Sequence, residues 1–176
     1  ELMGGEIGVE SEVGAGSTFW FEIPFERSAA LPKHYEEIRS FAGKRALVLD
    51  DCSEDRDVLC CLLEDMGLRT NAVASGQEAL DALTEADRLR DPYDLLFVDF
   101  NMPLMDGIDV ILLVKSLNLQ QRPEVIMATA YGNMLPREEM KRMEHVHILS
   151  KPFTPSTLHD TLAELSLTER EKPAVL

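Results

Sequence analysis

From Lys44 onward, short apolar runs alternate with amphipathic stretches, and this alternation leaves few architectures open to the chain. The runs fall at Arg45–Asp50, Arg69–Val73, Asp94–Asp99, Glu124–Thr129 and His147–Ser150. Continuous apolar runs without an in–out pattern belong to strands covered on both faces, which is the condition of a parallel sheet. The intervening stretches read as helices. Ser53 is placed to cap one that carries Val58, Leu62 and Met66 and stops at Gly67. Ser75-Gly76-Gln77-Glu78 is a capping box ahead of Leu80 and Leu83. A third helix follows Gly107 with Val110, Leu113 and Val114, and a fourth starts at Pro136 with Met140 and Met143 on one side. Thr154 caps the last, with Pro155 in its first turn and Leu158, Leu162 and Leu165 spaced four and three apart. Right-handed crossovers between parallel strands then predict an α/β fold: an open, doubly wound five-stranded sheet with helices on both faces.

The residues before Lys44 have another texture. Residues 1–27 hold five of the ten glycines, and Val13-Gly14-Ala15-Gly16 separates two strand-like stretches, Gly5–Glu12 and Ser17–Phe25. Phe19, Phe21, Ile23 and Phe25 recur at period two and share one strand face. A lone hairpin cannot bury such a face, so the rest of a sheet or a foreign surface is expected to cover it. Residues 28–43 mix Ala, Ser, Pro and balanced charge and read as a linker. The expected division is therefore 1–27, 28–43, a main domain at 44–168 and a tail at 169–176. The chain opens on Glu1, which reads as a piece cut from a longer polypeptide.

Charge and cysteine usage narrow the partners. Seventeen Lys and Arg against 32 Asp and Glu give a net charge of −15, which argues against nucleic acid and against direct contact with an anionic membrane. Apolar runs such as Val110–Val114 are far too short to span a bilayer. Cys52, Cys60 and Cys61 form an odd set without ligand spacing and read as reduced thiols in a cytoplasmic setting. His34, His145, His147 and His159 show no ligand spacing either.

Ligands of a doubly wound sheet sit beyond the carboxyl ends of its strands. The polar residues there are Asp50 and Asp51 after the first strand, Asp99 after the third, Thr129 after the fourth and Lys151 after the fifth. Three carboxylates on one edge repel each other unless a cation lies among them, and oxygen-only ligands suit a hard ion such as Mg²⁺. A hydroxyl and an ammonium opposite would hold the remaining oxygens of a phosphoryl group. The set points to phosphoryl chemistry on a carboxylate. Taken singly, each residue has a plainer reading: the acidic pair as a helix cap or solvated turn, Asp99 as the start of a loop, Thr129 as a strand residue, and Lys151-Pro152 as a turn.

Together these residues carry a resemblance. Leu47-Val48-Leu49-Asp50-Asp51, the segment from Val98 and Asp99 through Phe100-Asn101-Met102-Pro103-Leu104-Met105-Asp106-Gly107, Ala128-Thr129-Ala130-Tyr131 and Ser150-Lys151-Pro152-Phe153 resemble, in order, the four signatures of the receiver domain of two-component signalling proteins. The resemblance implies a flavodoxin-like sheet of order 2-1-3-4-5. It implies that Asp99 accepts a phosphoryl group from a partner's phosphohistidine. Asp50, Asp51, Asp99 and the Asn101 backbone carbonyl would hold Mg²⁺ (or Mn²⁺). Lys151 would pair with phosphoryl oxygens and Thr129 would move to donate a hydrogen bond to them. The implied partner is a histidine kinase dimerisation domain or a histidine phosphotransfer protein. One departure is Ile148, where many relatives carry an aromatic switch residue. Tyr131 and Asn101 are expected to set the lifetime of the aspartyl phosphate.

The first region carries a second resemblance. Met3-Gly4-Gly5-Glu6-Ile7 and Gly14-Ala15-Gly16-Ser17-Thr18-Phe19 are similar to the end of a histidine kinase ATP-binding domain, with Gly14 and Gly16 in its last glycine box. The earlier glycine box and the asparagine-bearing helix are absent, so no ATP binding by this chain is implied. The whole then reads as the receiver of a hybrid histidine kinase: not an enzyme by itself beyond Mg²⁺-dependent self-phosphorylation and autodephosphorylation, and cytoplasmic, with any membrane anchor left to the parent kinase. Two alternatives stand beside it. An aspartate-nucleophile phosphatase would want an acid two residues after the nucleophile, where Asn101 stands and cannot donate that proton. A receiver used only as a protein-binding surface, without phosphorylation, would not need all five site residues.

Overall fold

Alternating side chains along the main sheet are sorted to opposite faces, and two cores result. The computed structural model describes residues 4–25, 39–103, 105–130 and 146–171. The chain divides into two compact units, Glu1–Pro32 and Lys33–Leu176. Leu104, Tyr131, the helix expected from Pro136 with Met140 and Met143, His34, His145, most of the 28–43 linker and the end of the tail lie outside the described residues.

In the first unit, β1 (Glu6–Glu12) and β2 (Gly16–Glu22) form an antiparallel hairpin. Gly14 and Gly16 take φ of +88° and +114° at its turn, a conformation that side chains other than glycine adopt at a cost. Ile7 pairs with Phe21 and Val9 with Phe19, so one face is apolar, and all four are exposed within this unit. The expected stripe ran on through Ile23 and Phe25, but β2 stops at Glu22, so those two residues continue past the ladder. On the other face the indole of Trp20 lies over Gly8, where a Cβ would stand 2.3 Å from the ring.

In the second unit, β3 (Arg45–Leu49), β4 (Arg69–Val73), β5 (Leu95–Asp99), β6 (Glu124–Thr129) and β7 (Val146–Ser150) make one sheet in the order β4-β3-β5-β6-β7, with every pair parallel. This is the flavodoxin-like order 2-1-3-4-5. Its described helices are α1 (Ser53–Asp65), α2 (Gly76–Arg88), α3 (Gly107–Ser116) and α4 (Pro155–Glu171). Leu47, Leu49, Leu96, Val98 and Met127 point to the face covered by α2 and α3, through Ala79, Leu83, Val110, Ile111 and Val114. Ala46, Val48, Leu95, Phe97 and Ile126 point to the face covered by α1 and α4, through Leu59, Leu63, Leu158, Leu162 and Leu165. Each fully buried Val, Leu, Ile, Phe or Met among these is worth about 1.5–3 kcal/mol over leaving it in water, which makes these two layers the main support of the sheet.

Three expectations about the helices are corrected. Ser53 is the first residue of α1 and not its cap: Cys52 holds the cap position with no side-chain bond to a helix amide, and Ser53 Oγ donates to Glu54 at 2.9 Å. The buried face of α1 is centred on Leu59 and Leu63, one residue on from the expected stripe, so Leu62 and Met66 lie at its margin and Val58 is exposed. In α3, Ile111 is buried where Leu113 was expected, and Leu113 faces outward beside Leu112. The capping box holds: Ser75 Oγ accepts from the Glu78 amide at 3.3 Å, and Glu78 reaches back to the Ala74 amide at 3.1 Å. Thr154 Oγ1 likewise accepts from the Thr157 amide at 3.1 Å at the start of α4.

Candidate functional site

The parallel register brings the singled-out side chains to one edge. Leu49 lies beside Val98, Asp99 beside Ala128, and Thr129 beside Ser150, so the carboxyl ends of β3, β5, β6 and β7 are level. Asp50 and Asp51 leave β3, Asp99 ends β5, Thr129 ends β6 and Lys151 follows β7. The Lys151 amide donates to the Thr129 carbonyl at 2.9 Å, which carries the β6–β7 ladder one residue past the strands. The Lys151–Pro152 peptide bond is cis.

Buried charge defines the chemistry of this edge. Asp50 is 4% exposed, Asp99 6% and Thr129 1%, whereas Asp51 is open to solvent. Carboxylate oxygens of Asp50, Asp51 and Asp99 lie within 4.8 Å of one another. The Lys151 ammonium stands 2.7 Å from Asp50 Oδ2 and 2.7 Å from Asp99 Oδ1. The second oxygen of each buried carboxylate accepts from the backbone: Asp50 Oδ1 from the Cys52 amide at 2.9 Å, and Asp99 Oδ2 from the Asn101 amide at 2.9 Å. Burial pushes the Asp50 carboxyl up, and Asp99 adds to this; hydrogen bonds from Lys151 and the Cys52 amide pull the other way and do not prevail. Burial by itself would lower Lys151, but hydrogen bonds to Asp50, Asp55 and Asp99 outweigh it and the ammonium is held above its usual range.

Two contributors escaped the sequence reading. Asp55, in the first turn of α1, brings Oδ2 to 2.7 Å from the same ammonium. Arg56 Nη1 donates to the Asp50 carbonyl at 2.5 Å and ties α1 to the end of β3. Their only signal was position, within six residues of the acidic pair at the start of a helix. The glycine of the second signature now has a physical reason. A Cβ on Gly107 would stand 2.4 Å from the Asp99 carbonyl oxygen, so only glycine lets α3 start against the end of β5. Its amide donates to the Phe100 carbonyl at 3.2 Å, and Asp106 caps α3 by accepting from the Asp109 amide at 2.8 Å.

Three carboxylates thus surround one ammonium, with a fourth, Asp51, beside two of them. Short carboxylates offering only oxygen fit a hard divalent cation, and the surplus of negative charge is what such an ion relieves. The Lys151 ammonium at the same edge is the kind of donor that pairs with the oxygens of an anionic group. Asn101 is exposed, and its amide places it directly after the buried carboxylate. Ile148 is half-buried against the α2–α3 core. Gly14 and Gly16 belong to the hairpin of the other unit. No helix among the described residues is long and apolar enough to cross a membrane.

Comparison with known proteins converges on one family. The model described as the response regulator receiver domain matches residues 46–163. The sensory/regulatory protein RpfC of Xanthomonas campestris pv. campestris is 29% identical over 205 residues, covering 97% of this chain and 27% of that protein. The sensor histidine kinase AruS of Pseudomonas aeruginosa is 32% identical over 169 residues, covering 94% of this chain and 16% of that protein. The chain therefore spans about a quarter or less of the curated relatives it matches. Among solved structures, a variant of the receiver domain of the histidine kinase CKI1 from Arabidopsis thaliana superposes with a TM-score of 0.61 at 26% identity, covering 75% of this chain and 95% of that one. The chemotaxis protein CheY4 of Vibrio cholerae gives 0.58 at 28% identity, covering 70% and 98%.

Proposed function

We propose that this chain, which belongs to the response regulator receiver domain family, takes a phosphoryl group from a phosphohistidine onto Asp99. A receiver domain is the phosphoacceptor module of a two-component phosphorelay. The observation that carries the residue assignment is the setting of Asp99: buried at the end of β5, one oxygen on the Lys151 ammonium at 2.7 Å and the other on the Asn101 amide at 2.9 Å. In the transfer, the P–N bond of the donor imidazole breaks as a P–O bond to Asp99 forms, and the leaving imidazole nitrogen keeps the bonding pair and takes a proton. Lys151 meets the charge on the phosphoryl oxygens, and the hydroxyl of Thr129, at the end of the neighbouring strand, donates to them once the group is in place. Asp50, Asp51, Asp99 and the Asn101 carbonyl would hold Mg²⁺ (or Mn²⁺). When bound, such an ion supplies charge neutralisation at the acceptor and the phosphoryl oxygens. Positioning and charge compensation are most of what phosphoryl transfer asks of a protein.

A wider setting is supported by the relatives, which are named as sensor kinases and regulatory proteins. The parent protein is a hybrid histidine kinase. Residues 1–27 are the end of its ATP-binding domain, 28–43 a linker, 44–168 the receiver and 169–176 a tail. By itself the chain performs self-phosphorylation and autodephosphorylation. Its partner is a kinase dimerisation domain or a histidine phosphotransfer protein on the cytoplasmic side, and neither nucleic acid nor a membrane surface is contacted directly. The test is incubation of the chain with Mg²⁺ and a small phosphodonor, followed by intact mass. One hydroxylamine-sensitive phosphate is expected on the protein and none on Asp99→Asn. An equal adduct on Asp99→Asn, or none on the parent chain, overturns the reading.

A further inference from the structure

The ammonium of Lys151 has three N–H donors, and three carboxylate oxygens stand at 2.7 Å from it: Asp50 Oδ2, Asp55 Oδ2 and Asp99 Oδ1. Its hydrogen-bonding capacity is therefore filled before any phosphoryl group arrives. A phosphoryl group on Asp99 brings new oxygens, and Lys151 reaches one only by releasing a present partner. The three partners are not equivalent. The side chain of Asp50 is 5% exposed, and losing the ammonium would strand a buried carboxylate, which is costly. Asp99 is the acceptor itself. Asp55 is 41% exposed, so water takes over its free oxygen at little cost. Asp55 also sits in the first turn of α1, whose start is tied to β3 by Arg56, so its carboxylate is held at the site and not merely adjacent in sequence.

Resting on the receiver reading above, we propose that Asp55 is a positioning residue: it holds Lys151 in the unphosphorylated state, is the partner that Lys151 releases, and thereby slows phosphoryl acceptance. The juxtaposition joins residues 96 positions apart. The effect is one-sided. Before transfer, Lys151 must leave Asp55; after transfer, Lys151 already rests on the phosphoryl oxygens and Asp55 is solvated. Removing the Asp55 charge therefore speeds phosphorylation and leaves autodephosphorylation alone.

The experiment uses the full chain with saturating Mg²⁺ and phosphoramidate. In that reaction the P–N bond breaks, a P–O bond to Asp99 forms, and the nitrogen leaves as ammonia after taking a proton. Asp55→Asn is expected to phosphorylate about two- to fivefold faster, the range that a partly exposed ion pair commands, with its autodephosphorylation rate unchanged. Glu54→Gln, which removes a charge from the same helical turn without touching Lys151, is expected to phosphorylate at the parent rate. In the metal-free protein, the Lys151 ammonium signal in nitrogen-15 NMR is expected to be exchange-protected in the parent chain and less so in Asp55→Asn. An Asp55→Asn rate equal to or below the parent rate, an equal gain in Glu54→Gln, or a matching change in autodephosphorylation overturns the inference while the receiver reading stands. A parent chain that takes up no phosphoryl group removes both.

Discussion

Asp50 and Lys151 share a hydrogen bond, yet their titrations respond to it unequally. Lys151 has three carboxylates and stays charged, while Asp50 has a third of an ammonium, a buried seat and Asp99 beside it. Its carboxyl is pushed above the ordinary value of 3.8, so the folded chain binds that proton more tightly than the unfolded one. Stability from this group is therefore present below the ordinary value and lost as pH rises through the raised one. Replacing the charge relieves the cost. In the metal-free protein, Asp50→Asn should raise the melting temperature at neutral pH by about 2–4 °C, the shift that one kcal/mol produces in a chain of this size. The gain should shrink toward zero in acid, where Asp50 is protonated anyway. Melting curves of both proteins across that range decide it, and a gain that persists unchanged in acid would show that the Asp50 charge is not the cause. The site's five principal residues were legible in the sequence because each stands at a strand end. Asp55 was not, because a single acid in a first helical turn reads as a solvated favourable charge, and only the fold brings it to a lysine 96 residues away.

Helices were legible as elements, and the buried face of α4 is the expected one, Leu158, Leu162 and Leu165, but the faces of α1 and α3 were partly misread. Period located α1, α2, α3 and α4, with the expected caps present at α2 and α4, but which apolar residue turns inward depends on the angle at which each helix meets the sheet. In α1 the choice fell on Leu59 and Leu63, leaving Val58 exposed; in α3 it fell on Ile111 and not Leu113. The glycines at two helix starts are more telling, because both are set by contact distance. At Gly107 an added Cβ meets a backbone carbonyl at 2.4 Å, and neither strand nor helix can yield cheaply. At Gly76 it meets Met105 Sδ at 2.7 Å and Val110 Cγ2 at 2.8 Å, and the methionine is a flexible side chain that moves aside. Gly107→Ala should therefore cost more stability than Gly76→Ala, toward the upper end of the roughly 1–3 kcal/mol of an overpacked core. It should also slow phosphorylation, because the strain falls on the backbone of Asp99 itself. Equal denaturation midpoints for the two variants would place the constraint elsewhere.

At the scale of the whole chain, the two units differ in how complete they are. The second covers both faces of its sheet with helices, and Phe41, Phe97, Leu149 and Leu158 are fully buried. The first is a two-stranded hairpin whose apolar face, Ile7, Val9, Phe19 and Phe21, is exposed within its own unit. Two strands alone are marginal in water, and an apolar face of that kind seeks cover from another surface. The sheet that carries the site should thus owe nothing to the hairpin, and the hairpin should be what drives self-association. A chain beginning at Lys33 is expected to unfold cooperatively at the melting temperature of the full chain and to phosphorylate Asp99 at the same rate. Sedimentation at rising concentration should show the full chain associating and the shortened one remaining monomeric. A melting temperature lowered by several degrees on removal of residues 1–32 would overturn this independence. If both forms associate alike, the exposed Leu112 and Leu113 on α3 become the surface to mutate instead.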